Sequence, residues 1–189
     1  MKKILLASLL AFGFTTAAVA SEDGKGAYVG LAYGNTAYAS SSDNFNLDND
    51  TDSGYKLYGG YQFNKIVAVE ASYTDYGKFA YTSTHSIETT ALGVVANLGY
   101  NFLDGQLRPF ALVGLSYLDF TQNGGDFFDD DNTLAVTYGL GVEYSPTVLN
   151  GVGFRALWNV DAFTAERPLS NDTDGYAFGM FSVAVQYKF

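Results

Sequence analysis

The last fifteen residues, Gly175–Phe189, read GYAFGMFSVAVQYKF and constrain the chain more than any other stretch. Side chains of an extended strand project alternately to opposite faces. Phe181, Val183, Val185, Tyr187 and Phe189 therefore share one face, and Ser182, Ala184, Gln186 and Lys188 share the other. An apolar face carried through to the final residue has to be covered, by a second sheet or by lipid. A strand this long and this apolar must also have its edges paired.

The same period recurs along the chain. Strands are expected over Gly26–Tyr38, Gly54–Phe63, Ile66–Tyr76, Ser86–Phe102, Arg108–Phe120, Thr133–Ser145, Gly151–Phe163 and Gly175–Phe189. Tight turns alternate with polar connections. The turns are Asn64-Lys65, Leu103–Gln106 with its Asp104-Gly105 pair, and Pro146–Asn150. The polar segments are Ala39–Ser53, Gly77–His85, Thr121–Asn132 and Thr164–Asp174. Arg108–Phe120 is apolar on both faces, so its register stays open. Elsewhere the bulky set, such as Leu134, Val136, Tyr138, Leu140, Val142 and Tyr144, opposes a small or polar one, Thr137, Gly139, Gly141 and Glu143. A soluble barrel would bury the bulky set and expose the polar one. The pattern predicts an all-β fold: an eight-stranded antiparallel transmembrane up-and-down barrel, bulky side toward lipid, tight turns periplasmic and four polar loops outside the cell.

Composition agrees. There are 15 Tyr, 15 Phe and 21 Gly, with no Cys to supply disulfides or thiol chemistry. Lys2 and Lys3, the apolar run Ile4–Phe14 and Ala18-Val19-Ala20 before Ser21 form an export signal, so residues 1–20 are expected to be cleaved and 21–189 to form one barrel domain. Setting Lys2 and Lys3 aside leaves 8 basic residues against 20 acidic, a formal charge of −12, which argues against nucleic-acid binding. No cofactor or metal is expected. Asp48, Asp50 and Asp52 have a calcium-loop-like spacing, but Gly54 is one place late and Gly59 stands where that loop needs a glutamate. His85, the single histidine, is expected in a loop with no nucleophile motif around it, so no catalysis is expected.

Tyr58-Gly59-Gly60-Tyr61-Gln62-Phe63-Asn64, Val69-Glu70-Ala71-Ser72-Tyr73 and Asn97-Leu98-Gly99-Tyr100 resemble the transmembrane domain of outer-membrane protein A and its small-barrel relatives. The closing Tyr187-Lys188-Phe189 resembles the C-terminal signature that the barrel-assembly machinery reads. The resemblance implies an outer-membrane location in a Gram-negative envelope. It also implies a charged network inside the barrel, carried here by Glu70, Glu143 and Arg155, with Lys56 and Lys188 as further inward bases. A family lysine in the fourth strand appears here as Asn97. Larger relatives add a periplasmic peptidoglycan-binding domain; this chain is expected to end with its barrel, so that role is not carried over.

The expected function is structural or interactive: a monomer in contact with outer-membrane lipid and lipopolysaccharide, presenting loops to a surface ligand or host receptor. The alternative is a narrow porin-like channel for ions or small solutes. On the first reading the barrel interior is expected to be about filled by its own side chains, with inward glycines leaving pockets that need not join into a path, and any small openings are expected to favour cations because of the lumen carboxylates.

Overall fold

The computed structural model describes residues 25–40, 52–82, 85–123, 131–166 and 173–189. The expected export signal, residues 1–20, lies outside them, as do Asp48 and Asp50. Eight strands, β1 (Gly26–Ser40), β2 (Asp52–Gln62), β3 (Val67–Thr82), β4 (His85–Gly99), β5 (Leu107–Asn123), β6 (Asn132–Tyr144), β7 (Val152–Glu166) and β8 (Thr173–Lys188), follow one another around a closed antiparallel barrel. Every neighbour in sequence is a neighbour in space, and β8 pairs with β1 from Tyr28↔Lys188 to Ser40↔Tyr176. Closure leaves no edge strand.

The stagger of the barrel can be read from its pairing. A path from Tyr28 runs through Gly60, Glu70, Val95, Gly114, Thr137, Asp161 and Phe178 and re-enters β1 at Tyr38, ten residues further on. Such a shift requires strands tilted by about 35–45° to the axis, around an interior wide enough only for side chains.

Alternation is kept outside the bulge in β3. The expected outward residues of β8, Phe181, Val183, Val185, Tyr187 and Phe189, are all exposed, while Ser182, Ala184 and Gln186 are buried. Aromatic pairs gird the end that carries the tight turns, with Tyr61–Phe63, Tyr100–Phe102 and Tyr187–Phe189 ring centroids 5.2, 5.0 and 5.0 Å apart. A second belt, higher on the strands, includes Tyr55–Tyr73 and Tyr138–Trp158. The turn between β2 and β3 is built by Asn64, whose Oδ1 accepts the N–H groups of Ile66 and Val67 at 2.8 and 2.9 Å.

One expectation is corrected. Gly77–His85 is not a polar loop: β3 continues to Thr82 and β4 begins at His85, so only residues 83–84 separate the paired ends. The chain survives its polar stretch through a bulge. Gly77 takes φ +83°, the register shifts between Asp75 and Lys78, the Asp75 carboxylate accepts the Gly77 N–H, and the Asp52 carboxylate accepts the Lys78 N–H. The other strands also outrun their expected upper ends, by two residues in β1 and three in β5 and β7. Asp52 is accordingly a strand residue serving the bulge, and His85 a strand residue paired with Thr82.

Candidate functional site

The side chains that carry chemistry converge in the lumen, in three layers. Nearest the tight turns lies a charged layer. Glu143 and Arg155 are direct cross-strand partners on β6 and β7, and Glu70 reaches them across the barrel from β3. The Arg155 guanidinium donates to both Glu70 oxygens, at 3.1 and 3.0 Å, and to Glu143 Oε2 at 3.4 Å. Arg155 and Glu70 are 3% and 2% exposed, so neither charge could persist there unpaired. The three residues singled out in the sequence are therefore brought together. The guanidinium also lies 4.4 Å from the Tyr58 ring centroid and 4.7 Å from that of Phe110, so aromatic faces complete its surroundings.

Arg108 joins this layer and was not foreseen. It donates to Asn97 Oδ1 at 2.8 Å, and Asn97 in turn donates to Glu70. Asn97 thus links a second arginine to the network from the place where a lysine was expected on resemblance. The register of β5 concealed Arg108. The one available signal was Tyr117: placed in the outer aromatic belt, it forces the even-numbered residues of β5 inward, Arg108, Phe110 and Leu112 among them. Lys188 sits at the same end and donates to Gln62 Oε1 at 2.7 Å.

The middle layer is polar and continuous. Asp161 accepts hydrogen bonds from Tyr76 and Thr137, both at 2.6 Å, and Ser116 lies 2.6 Å from Thr137. Asn159 donates to the Tyr76 hydroxyl and accepts from the buried Lys56 at 3.5 Å. Toward the other end the lumen turns apolar: Tyr76, Phe79, Ile87, Leu118, Phe120, Phe163, Tyr176, Phe178 and Met180 form one cluster. Phe163 and Phe178 stack at 6.0 Å with planes 9° apart.

Two expectations about the lumen fail. Four of the inward glycines do not leave pockets, because large side chains lie on them. The Tyr58 ring covers Gly30, Tyr28 covers Gly60, Phe110 covers Gly141 and the Arg108 guanidinium covers Gly99, each so close that a β-carbon on the glycine would collide. Nor do carboxylates dominate the barrel interior. Among the described residues, Lys56, Arg108, Arg155 and Lys188 share the interior with Glu70, Glu143, Asp161 and Asp174.

A closed eight-stranded barrel with an apolar exterior and a charged, filled lumen is matched by one family description, "Outer membrane protein beta-barrel domain", over residues 5–189. The chain belongs to this family. The resemblance read from Tyr58–Asn64, Val69–Tyr73 and Asn97–Tyr100 is borne out at that level, and with it an outer-membrane barrel as the general role and location. Among solved structures, Neisserial surface protein A is 19% identical, with TM-score 0.59 over 86% of this chain and 97% of that one. Ail of Yersinia pestis, in complex with the heparin analogue sucrose octasulfate, is 15% identical, with TM-score 0.51 over 86% and 99%. The outer membrane enzyme PagL is 15% identical, with TM-score 0.50 over 86% and 99%. At these identities the likeness is one of fold. No curated protein sequence matches.

Proposed function

We propose that this protein is a non-catalytic outer-membrane scaffold whose role is structural and interactive, holding the segments between its loop-end strands on a rigid barrel. The observation that carries the reading is the filled lumen. Arg155 bridges Glu70 and Glu143 across the turn-end half, and stacked rings occupy the other half. An interior spent on its own packing gives up transport and gains stiffness, which suits display. Its partners are outer-membrane lipid, lipopolysaccharide and the barrel-assembly machinery, and it works as a monomer. PagL demonstrates that this fold can host an enzyme, but here the single histidine lies within a paired strand.

The sulfated ligand of Ail is not carried over. The full chain has a formal charge of −10, and Asp75, Glu88, Asp119 and Asp131 lie on the outward loop-end surface against Lys78. Among the described residues that surface offers a sulfated ligand no basic cluster. The test has two arms: single-channel recording of the refolded chain in planar bilayers, and whole-cell binding by variants lacking residues 41–51, 124–130 or 167–172. Steady porin-sized conductance would replace this reading with the channel. Loss of surface binding with any one deletion, the barrel remaining folded, would support it.

A further inference from the structure

The ladder between β6 and β7 stops before either strand does. Its pairs run from Tyr144↔Phe154 to Val136↔Ala162. Above that level β6 continues to Asn132 paired with β5, and β7 continues to Glu166 paired with β8. A groove with a volume of about 700 Å³ occupies the outer wall at this seam. That is the size of a small-molecule site, roughly 300–1,000 Å³. Its floor follows one cross-strand row of alanines, Ala39 on β1, Ala177 on β8 and Ala162 on β7. Leu134, Val136 and Tyr138 of β6 form a flank, and Phe163 and Tyr176 of the lumen cluster back it. A lower row on the same four strands, Leu31, Val185, Phe154 and Tyr144, is bulky throughout, so the depth of the groove comes from the alanines.

The rest of the wall makes an apolar groove here unexpected. Two residues beyond the belt tyrosines Tyr55, Tyr73 and Tyr117, the outward residues are Ser53, Asp75 and Asp119. At the same step on β6, Tyr138 is followed by Val136 and Leu134, 53% and 62% exposed. An apolar surface bounded by a polar wall marks a contact site. Three features choose its occupant. Tyr138 belongs to the lipid-facing belt and meets Trp158 edge-on at 6.3 Å, so the groove opens into hydrocarbon without crossing polar wall. The stagger of the sheet carries each cross-strand row toward the loop end from β6 to β1, so the groove runs obliquely upward from Val136 to Ala39. Among the described residues no charged side chain lines it, so it suits a hydrocarbon chain and not a headgroup.

We propose that the groove at the β6–β7 seam holds one acyl chain of an outer-leaflet lipid. The chain lies over Ala162 and Ala177 beside the β6 flank, and its headgroup lies beyond Ala39. The proposal rests on the outer-membrane location and does not depend on the loop-end segments binding a ligand.

The test is photolabelling of the refolded chain in phosphatidylcholine vesicles. A phosphatidylcholine carrying a diazirine part-way along one acyl chain is irradiated, and the labelled residues are located by mass spectrometry. Labelling of Val136, Ala162 and Ala177 is expected to exceed that of Tyr55 and Tyr73, on the other side of the barrel, several-fold. Ala177→Phe fills the floor and should bring groove labelling down to the level of Tyr55. Ala162→Leu fills it from the neighbouring strand and repeats the test should Ala177→Phe fail to fold, as judged by the heat-modifiable gel shift. Ala71→Phe, on the outward face of β3, should leave groove labelling unchanged. Equal labelling of the groove and of Tyr55 and Tyr73 would overturn the site while leaving the membrane barrel intact. Strong labelling that survives both filling variants would overturn the placing of the chain on this floor. Absence of label from every outward site, Leu57 and Val94 on the lower wall included, would overturn the membrane location, and the site with it.

Discussion

Arg155 concentrates most of the consequences of a single side chain. It is buried between two carboxylates and two aromatic rings, so its removal strands Glu70 and Glu143 rather than merely deleting a contact. Arg155→Ala is expected to cost about 3–5 kcal/mol, measured by urea unfolding in lipid vesicles. Arg155→Lys keeps the charge but cannot bridge both acids with one fork, so it should fall between Arg155→Ala and the parent. An Arg155→Ala protein as stable as the parent would mean that the pairing contributes nothing. Gly30 makes a complementary case. Its space is taken by the Tyr58 ring, and Tyr58 donates to Gln186 at 3.1 Å while covering Arg155. Gly30→Ala is therefore expected to destabilise by about 1–3 kcal/mol through displacement of that ring, read in the same unfolding experiment.

At the scale of the element, β8 and β3 behave differently. β8 closes the barrel on β1 over thirteen residue pairs and places Tyr187 and Phe189 in the turn-end girdle. Phe189→Asp removes an apolar anchor from that girdle and puts a charge against lipid headgroups. Export should continue while folded barrel in the outer-membrane fraction falls sharply, seen as loss of the heat-modifiable shift on gels. Normal folded yield would remove the closing role assigned to this residue. β3 depends instead on its bulge. Gly77 at φ +83° is a conformation that a β-branched side chain resists, so Gly77→Val is expected to lower stability by about 1–3 kcal/mol. Nitroxide pairs on Lys78 and Glu88 should then show increased separation or broadened distances by electron–electron resonance, because the register beyond the bulge is no longer held.

At the scale of the whole molecule the decisive property is the filled interior. The refolded chain is expected to show no steady porin-sized conductance in planar bilayers. Removing rings from the loop-end core, as in Phe120→Ala with Phe163→Ala, should raise the frequency of brief openings more than Glu143→Gln does. The apolar layer is the barrier to ions, and the charged layer is polar already. With four cationic side chains against four carboxylates inside, among the described residues, such openings should not show the cation preference that the acidic composition suggests. A strong cation preference, measured as a reversal potential in a salt gradient, would indicate that the acidic residues at the loop end control entry instead.

Strand number, the outward set of β8 and the inward placing of Glu70, Glu143 and Arg155 were all legible in the sequence. The reason is that a side-chain period of two survives wherever one face meets lipid and the other does not. Arg108–Phe120 escaped because both its faces are apolar, so alternation carried no information, and Arg108 was lost with it. Gly77–His85 escaped for another reason: its polar residues read as a loop, whereas the strand continues through a bulge at Gly77 whose bonds come from Asp75 and, on the neighbouring strand, Asp52. The glycines misled because a missing side chain looks like space until the opposite strand is known to lay Tyr58, Tyr28, Phe110 or Arg108 on it. Local alternation, then, determined that this chain forms a closed barrel and which residues look inward. Only the stagger of the closed sheet decided which inward residues touch, because contacts across a lumen depend on a shift accumulated over all eight strands, and no single strand records it.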